Sequence, residues 1–332
     1  MPISVKTRQR RLLLCATASA AAWAMGMAAP AQAESFPSSR VTLTVAFPAG
    51  GTNDAVARYL AEPLAKKLGQ PVVVENVGGA AGAIGAAQVT RAAADGYTLL
   101  LGSVNETVLA PITNPAVRYS YKDFTPIAKV GSTAFVIVGR KDLPAGNIDE
   151  VLALARKKPD SLTFGSTGVG SYQQVVMESI QRIAGVSMVH VPYRGGGPML
   201  TDLLGGQIDL AVSLPTTMLP QINRQTVKAI GVTGQKRDPA APELPSVNES
   251  RDIKGVDFVF WFGVFAPKGL DEDRRARLQA AVTDVLDDPT VRKQLQAAGL
   301  AVATPAEQTS LPAFLAEEDA KLRAAASGIK FQ

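Results

Sequence analysis

Val41-Thr42-Leu43-Thr44-Val45-Ala46-Phe47-Pro48-Ala49-Gly50-Gly51-Thr52-Asn53-Asp54 is the stretch that decides the fold. From Val41 to Phe47 every second side chain is apolar, the period of a half-buried strand. Pro48 to Asp54 is a tight polar turn. Val56, Leu60, Leu64 and Leu68 then recur at helical spacing, with Gly69 as a stop and Pro63 as an expected kink. Working outward, the unit repeats. Val72-Val73-Val74-Glu75 reads as a buried strand before a glycine loop from Asn76 to Gly85, in which a helix opens, and Thr98 to Gly102 is another strand. Strand, loop and helix in alternation predict an α/β architecture with a mostly parallel sheet.

The pattern restarts near Phe135. Phe135 to Val138 reads as a strand and Ile148 to Lys158 as a helix. Leu162 to Ser166 is a strand running into Thr167-Gly168-Val169-Gly170-Ser171, and a helix carries Val175, Val176, Ile180 and Ile183. Met188 to Val191, Ile208 to Val212 and Val227 to Val232 complete a second sheet, with a helix at Leu200, Leu203 and Leu204. Val256 to Ala266 is a long apolar run whose Trp261 reads as core. The C-terminal part is helical and amphipathic. A chain that builds one domain, then a second, and returns to finish the first crosses twice, so hinges are expected near 131–136 and 255–263. About 300 residues also exceed what one core supports.

The first 33 residues read as an export signal: a basic head (Lys6, Arg8, Arg10, Arg11), an apolar stretch from Leu12, and the small-x-small sequence Ala31-Gln32-Ala33, with cleavage expected near Ala33. Arg10-Arg11 also suits a twin-arginine signal. The whole chain has 34 basic against 29 acidic residues, but four of those bases and none of the acids precede residue 34. The remaining 30 against 29 give no basic field for nucleic acid. The single cysteine, Cys15, leaves with the signal. One histidine, His190, disfavours metal sites and histidine-based catalysis; it is expected to pack or to bond to backbone.

Several segments together resemble the periplasmic solute receptors of tripartite tricarboxylate transporters, the Bug-type family of type II binding proteins. They are Phe47 to Asp54, Pro71 to Asn76 with its glycine loop, and Phe164 to Ser171. Val189 to Pro198 running into Leu203 to Leu210, and Trp261 to Pro267, complete the ordered set. The resemblance implies two Rossmann-like lobes with a central cleft and two hinge cross-overs. On this reading lobe 1 spans 34–134 plus 257–332 and lobe 2 spans 135–256. It implies a periplasmic, monomeric binding protein, not an enzyme and without a cofactor, that passes a small organic acid to membrane permease subunits. The sequence departs from the family where Glu106-Thr107, Ala110, Gln173-Gln174 and Ser213 stand, which leaves the ligand unnamed.

The residues independently point to an anion site. Glycine loops after strands lead into helix N-termini, which offer unpaired N–H groups and a partial positive charge. Gly50, Gly51, Gly168 and Gly170 let a ligand approach the backbone. Thr52, Asn53, Ser166 and Ser171 add polar groups at the rim. Phe47, Ala49, Ser103, Asn105, Tyr172, Arg194 and Ser213 complete the expected ligand-binding set, with Asp54 holding loop amides and Glu106 a solvated loop residue. Two other functions compete. A sensing module for a signalling partner would have the same cleft. A nucleotide-dependent oxidoreductase is disfavoured, because Gly79-Ala80-Ala81-Gly82-Ala83-Ile84-Gly85 spaces its glycines as G-x-x-G-x-x-G, not G-x-G-x-x-G.

Overall fold

The computed structural model describes residues 36–331, so the expected signal segment lies outside the described residues. Every element below belongs to the compact unit of residues 39–332. The strands are β1 (Val41–Val45), β2 (Val72–Asn76), β3 (Thr98–Ser103), β4 (Phe124–Ala134), β5 (Val136–Arg140), β6 (Thr163–Ser166), β7 (Val189–Pro192), β8 (Leu210–Ser213), β9 (Val227–Val232), β10 (Val259–Pro267) and β11 (Ala301–Val302). The main helices are α1 (Thr52–Leu68), α2 (Ala83–Thr90), α3 (Ile148–Lys157), α4 (Tyr172–Ala184), α5 (Gly196–Leu204), α6 (Pro215–Asn223), α7 (Glu272–Asp287), α8 (Pro289–Ala297) and α9 (Leu311–Ala326).

The strands form two sheets, one in each lobe. The first has the order β11-β4-β10-β3-β1-β2 and the second β7-β6-β8-β5-β9. β1, β2 and β3 are mutually parallel, as are β6, β7 and β8, each set joined by helical crossovers. The expectation of mostly parallel sheets holds only for these halves. β10 runs antiparallel to β3 and β4, and β5 antiparallel to β8 and β9. The strands that carry the chain between lobes are the antiparallel ones, so both sheets are mixed. Leu43, Val45 and Leu99 to Leu101 are buried because the first sheet is covered on both faces.

β4 is absent from the sequence reading, and its composition explains why. Pro126, Lys129 and Gly131 interrupt any apolar alternation. Lys129 is nevertheless buried. Its Nζ donates to Glu307 Oε1 at 3.1 Å and sits 4.2 Å from the Phe314 ring centroid, so the charge is paired and faces a π-system. α1 likewise runs through Pro63 without ending.

The chain leaves the first sheet between β4 and β5 and returns between β9 and β10. Thr233 ties the two passages together. Its Oγ1 accepts from Phe135 N at 3.1 Å and donates to Phe258 O at 2.7 Å. Its backbone completes the clasp through Thr233 N to Phe135 O and Phe258 N to Thr233 O, both 3.0 Å. Phe135 and Phe260 pack edge-on beside it, centroids 5.7 Å apart. Thr233→Val keeps the shape but strands a buried N–H and leaves a C=O short of a donor, at about 1–3 kcal/mol per unsatisfied group. A loss of unfolding free energy of that size, read as a lower urea midpoint, is expected; an unchanged midpoint would show that the passages do not depend on the hydroxyl.

Candidate functional site

Strand register puts the loops of each lobe side by side. Val45 of β1 pairs with Asn76 of β2 and Leu101 of β3, so the loops starting at 46, 77 and 104 leave one sheet edge together. In the second lobe Ser166 pairs with Pro192 and Gly165 with Ala211, which aligns the loops after β6, β7 and β8. These are the carboxyl ends of parallel strands, where α/β folds bind ligands. The two edges face each other across a cleft of about 730 Å³.

On the first edge, α1 begins at Gly51 with no side-chain cap. Its earliest intrahelical bond is Ala55 N to Gly51 O, so the first-turn amides are unmatched. Asn53 is 9% exposed, and no described residue accepts from its Nδ2. Gly50 N, by contrast, donates to Asp54 Oδ2 at 3.0 Å, and Arg58 Nε to the same oxygen at 3.0 Å. The Arg58 bond, followed by that from Gly50, holds the Asp54 carboxyl below its ordinary range. The next loop follows Asn76, the last residue of β2, whose Nδ2 donates to Phe47 O at 3.1 Å. It then makes a left-handed turn: Gly79, Ala80, Ala81 and Gly82 have φ of 131°, 48°, 52° and 91°. For alanine that conformation costs about 1–2 kcal/mol, and strain of this kind gathers at functional sites. No described group accepts from the amides of Ala80 or Ala81, and both residues line the cleft. Consecutive N–H groups in such a turn make a concavity suited to an anion.

On the second edge, α6 also starts without a side-chain cap, at Leu214 followed by Pro215. Thr216 Oγ1 lies 3.3 Å from Thr52 Oγ1, so the positive ends of α1 and α6 meet across the lobes. A second contact is Thr113 Oγ1 donating to Gly170 O at 3.2 Å. Thr167, Gly168, Gly170, Tyr193 and Arg194 line the lobe 2 wall of the cleft. Arg194 has no partner among the described residues. The cleft offers the free amides of the left-handed turn from lobe 1 and one guanidinium from lobe 2, and none of the described residues lining it is acidic.

Residues 56–328 match the family described as tripartite tricarboxylate transporter family receptor. The chain belongs to that family. Protein BugT of Bordetella pertussis is 33% identical over 299 residues, covering 88% of this chain and 90% of BugT. Among solved structures, MatC from Rhodopseudomonas palustris with bound malate is 32% identical with TM-score 0.78, covering 87% of this chain and 99% of that one. An R. palustris protein with adipate is 28% identical with TM-score 0.79, covering 88% and 97%. The family consists of solute-binding receptors and not enzymes, so the dehydrogenase-like reading of the Gly79–Gly85 loop falls.

Within this receptor the expected binding set divides. Asn105, Gly168, Gly170 and Arg194 line one cleft. Thr52 sits at the α1–α6 contact, with Ser213 at the end of β8 just before it. Phe47 lies under the left-handed turn: a Cβ at Gly82 would fall 3.0 Å from Phe47 Cζ. Ala49, Gly50 and Gly51 are exposed and do not line the cleft.

Four expected binding residues are corrected: three serines spend their polar groups locally, and Tyr172 is buried in the core with no described partner for its hydroxyl. Ser103 is fully buried, its N and Oγ both donating to Glu106 at 2.5 Å. Ser166 Oγ lies 2.6 Å from His190 Nε2 and also bonds to Gly168. Ser171 caps α4 through Gln174 N. Tyr172 is core, stacked edge-on against Phe135 at 5.5 Å. The amides of Gly168 and Gly170 are occupied too, by Ser166 Oγ and Gln174 Oε1. What the sequence reading missed is the turn Gly79–Ala81, Thr113 and Thr216. The glycine spacing of the turn was visible, but its alanines hid the left-handed backbone.

Glu106 is buried rather than solvated, and its surroundings push the carboxyl up to about 7, burial outweighing the Ser103 bonds. Because this lies above the ordinary value of 4.5, the folded state takes up a proton that the unfolded chain releases. The resulting stabilisation is full below pH 4.5 and is lost as pH rises through 7, on the order of 3 kcal/mol in all. Glu106→Gln should flatten the dependence of the urea midpoint on pH between about 5 and 8; an unaltered slope would assign it to another group. His190 stacks on Phe164, and burial pushes its imidazole down to about 4, so it stays neutral at physiological pH.

Proposed function

We propose that this receptor works in the periplasm, captures a small organic acid between its lobes, and delivers it to the membrane subunits of a tripartite tricarboxylate-type transporter. The observation that carries this reading is the meeting of two helix starts without side-chain caps, α1 and α6, across the two lobes. Two positive ends brought together repel unless an anion lies between or near them, so a bound carboxylate favours the closed arrangement. The ligands of the two R. palustris relatives, malate and adipate, are carboxylates as well. Charge-assisted hydrogen bonds of about 1.5–3 kcal/mol each, less the cost of association, are enough for micromolar affinity, near −8 kcal/mol. Monomeric action fits a cleft built from one chain.

A thermal-shift screen tests the reading. At a concentration of 100 Kd a ligand adds about 2.7 kcal/mol to native stability, which for a chain of this size raises Tm by roughly 5–10 °C. That rise is expected with matching di- or tricarboxylates and not with their amides or esters. Equal protection by the neutral analogues would overturn it.

A further inference from the structure

We propose that the receptor takes up a proton together with its acid ligand, and that Glu106 is the group that holds this proton. The inference rests on the carboxylate reading above and adds a second, smaller guest to it. Two contacts place Glu106 behind the ligand-facing edge of lobe 1. Its carboxyl accepts from the N–H and the hydroxyl of Ser103, the last residue of β3, so it sits where the loops leave the sheet. Its Cβ packs beneath the left-handed turn: a Cβ added at Gly82 would fall 2.8 Å from it and 3.0 Å from Phe47 Cζ. Asn105, the preceding residue, lines the cleft, and Glu106 does not. Glu106 therefore acts on a ligand through its charge and not by touching it.

Nothing on the neighbouring elements neutralises that charge. β3, α2 and the stretches 80–82 and 110–113 carry no ionisable side chain. Tyr119 donates its hydroxyl to Glu106 O, and burial, followed by the Glu106 charge, pushes the phenol above its ordinary range, so it stays neutral. α9, which packs against this turn, carries Lys321 paired with Glu318, Arg323 paired with Asp319, and an exposed Glu317. No described cation bonds to the Glu106 carboxyl or offsets its burial.

An anion on the free amides of the turn and an ionised Glu106 are like charges in one poorly solvated region, and each opposes the other. Protonation of Glu106 removes the conflict and leaves the amides available. Linkage makes the effect reciprocal: because the neutral form binds better, the ligand raises the carboxyl further and draws in a proton. Glu106 titrates at about 7 before this added shift, so the exchange falls near neutral pH. Affinity is full below about pH 6 and falls as pH rises through 7, by at most about 10-fold per pH unit for one proton. His190, the one histidine in the chain, is held down at about 4 and stays neutral throughout.

The test is calorimetry of the full chain at about pH 6.5, 7.5 and 8.5, a range in which ordinary carboxyl groups are already ionised. The probes are malate and adipate, or the acid that the thermal screen selects where neither binds. Paired titrations in phosphate and Tris, whose heats of protonation differ, count the protons taken up. The wild type should bind about 10-fold or more weaker at the highest pH than at the lowest, with net proton uptake in between. Glu106→Gln, whose amide stands in for the neutral acid, should match the wild type at the lowest pH. It should then hold its affinity within about 3-fold across the range and take up no proton. Ser103→Ala removes a bond that favours the ionised form, so its loss of affinity should begin at higher pH than in the wild type; this second variant carries the test if the first fails to fold. Affinity independent of pH in the wild type, or a fall that persists in Glu106→Gln, overturns the proton assignment and leaves the carboxylate reading intact. If no acid binds, or neutral amides and esters bind as well, the carboxylate reading falls and the proton assignment with it.

Discussion

Gly170→Val is expected to weaken binding in the cleft by more than about 100-fold, close to 3 kcal/mol, while the protein still folds. Gly170 has φ of 75°, and a Cβ there would lie 2.9 Å from Thr113 Oγ1 and 3.2 Å from its Cβ, on the opposite lobe. The two consequences separate. Backbone strain of about 1–2 kcal/mol acts within lobe 2 whatever the lobes do, and should lower Tm by only a few degrees. The clash with Thr113 acts only when the lobes approach, so it opposes closure and therefore affinity. Calorimetry with any acid that binds the wild type reads the loss. Thr113→Ala in the same chain removes the oxygen met first and should recover part of the affinity. Wild-type affinity in Gly170→Val would mean that binding does not need this contact.

The second large effect is expected at Gly51, where stability and binding should move in opposite directions. Gly51 is the N-cap of α1, with extended backbone (φ −86°, ψ 175°), and a Cβ would meet nothing nearer than Pro48 O at 3.8 Å. Gly51→Ala is therefore tolerated and should keep its affinity. Gly51→Asp fits equally well, but its carboxylate can accept from the free first-turn amides and sits at the positive helix end. It should raise stability by about 0.3–1 kcal/mol. The same carboxylate occupies the donors an anionic ligand requires and repels it, so affinity should fall by about 100-fold or more. Tm and calorimetry together make the comparison. If Gly51→Asp binds an acid as tightly as Gly51→Ala, the α1 terminus has no part in holding it.

Much of the architecture could be read from the residues because local pattern and tertiary role agree. The alternation from Val41 to Phe47 and the helical spacing from Val56 to Leu68 are set by burial against one sheet, and both elements are present. β4 was hidden because Lys129 is buried through a partner 178 residues away. α6 was hidden by two prolines, Pro215 and Pro220, that suit a helix start and a short, partly exposed helix. The site was less legible than the fold for two reasons. Serine hydroxyls at Ser103, Ser166 and Ser171 can bond a ligand or their own neighbours, and in each case the nearby group won. The contact between Thr52 and Thr216 spans 164 residues and follows from how the two lobes dock, which no local pattern encodes.

The most direct test is a crystal structure of the protein with an organic acid selected by the thermal screen. One carboxylate should lie within hydrogen-bonding distance of the Thr52 or Asn53 backbone N–H, with lobe 2 groups closing on the same molecule from the facing edge. An acid seated elsewhere, touching one lobe alone and leaving the α1 amides bare, would contradict the account.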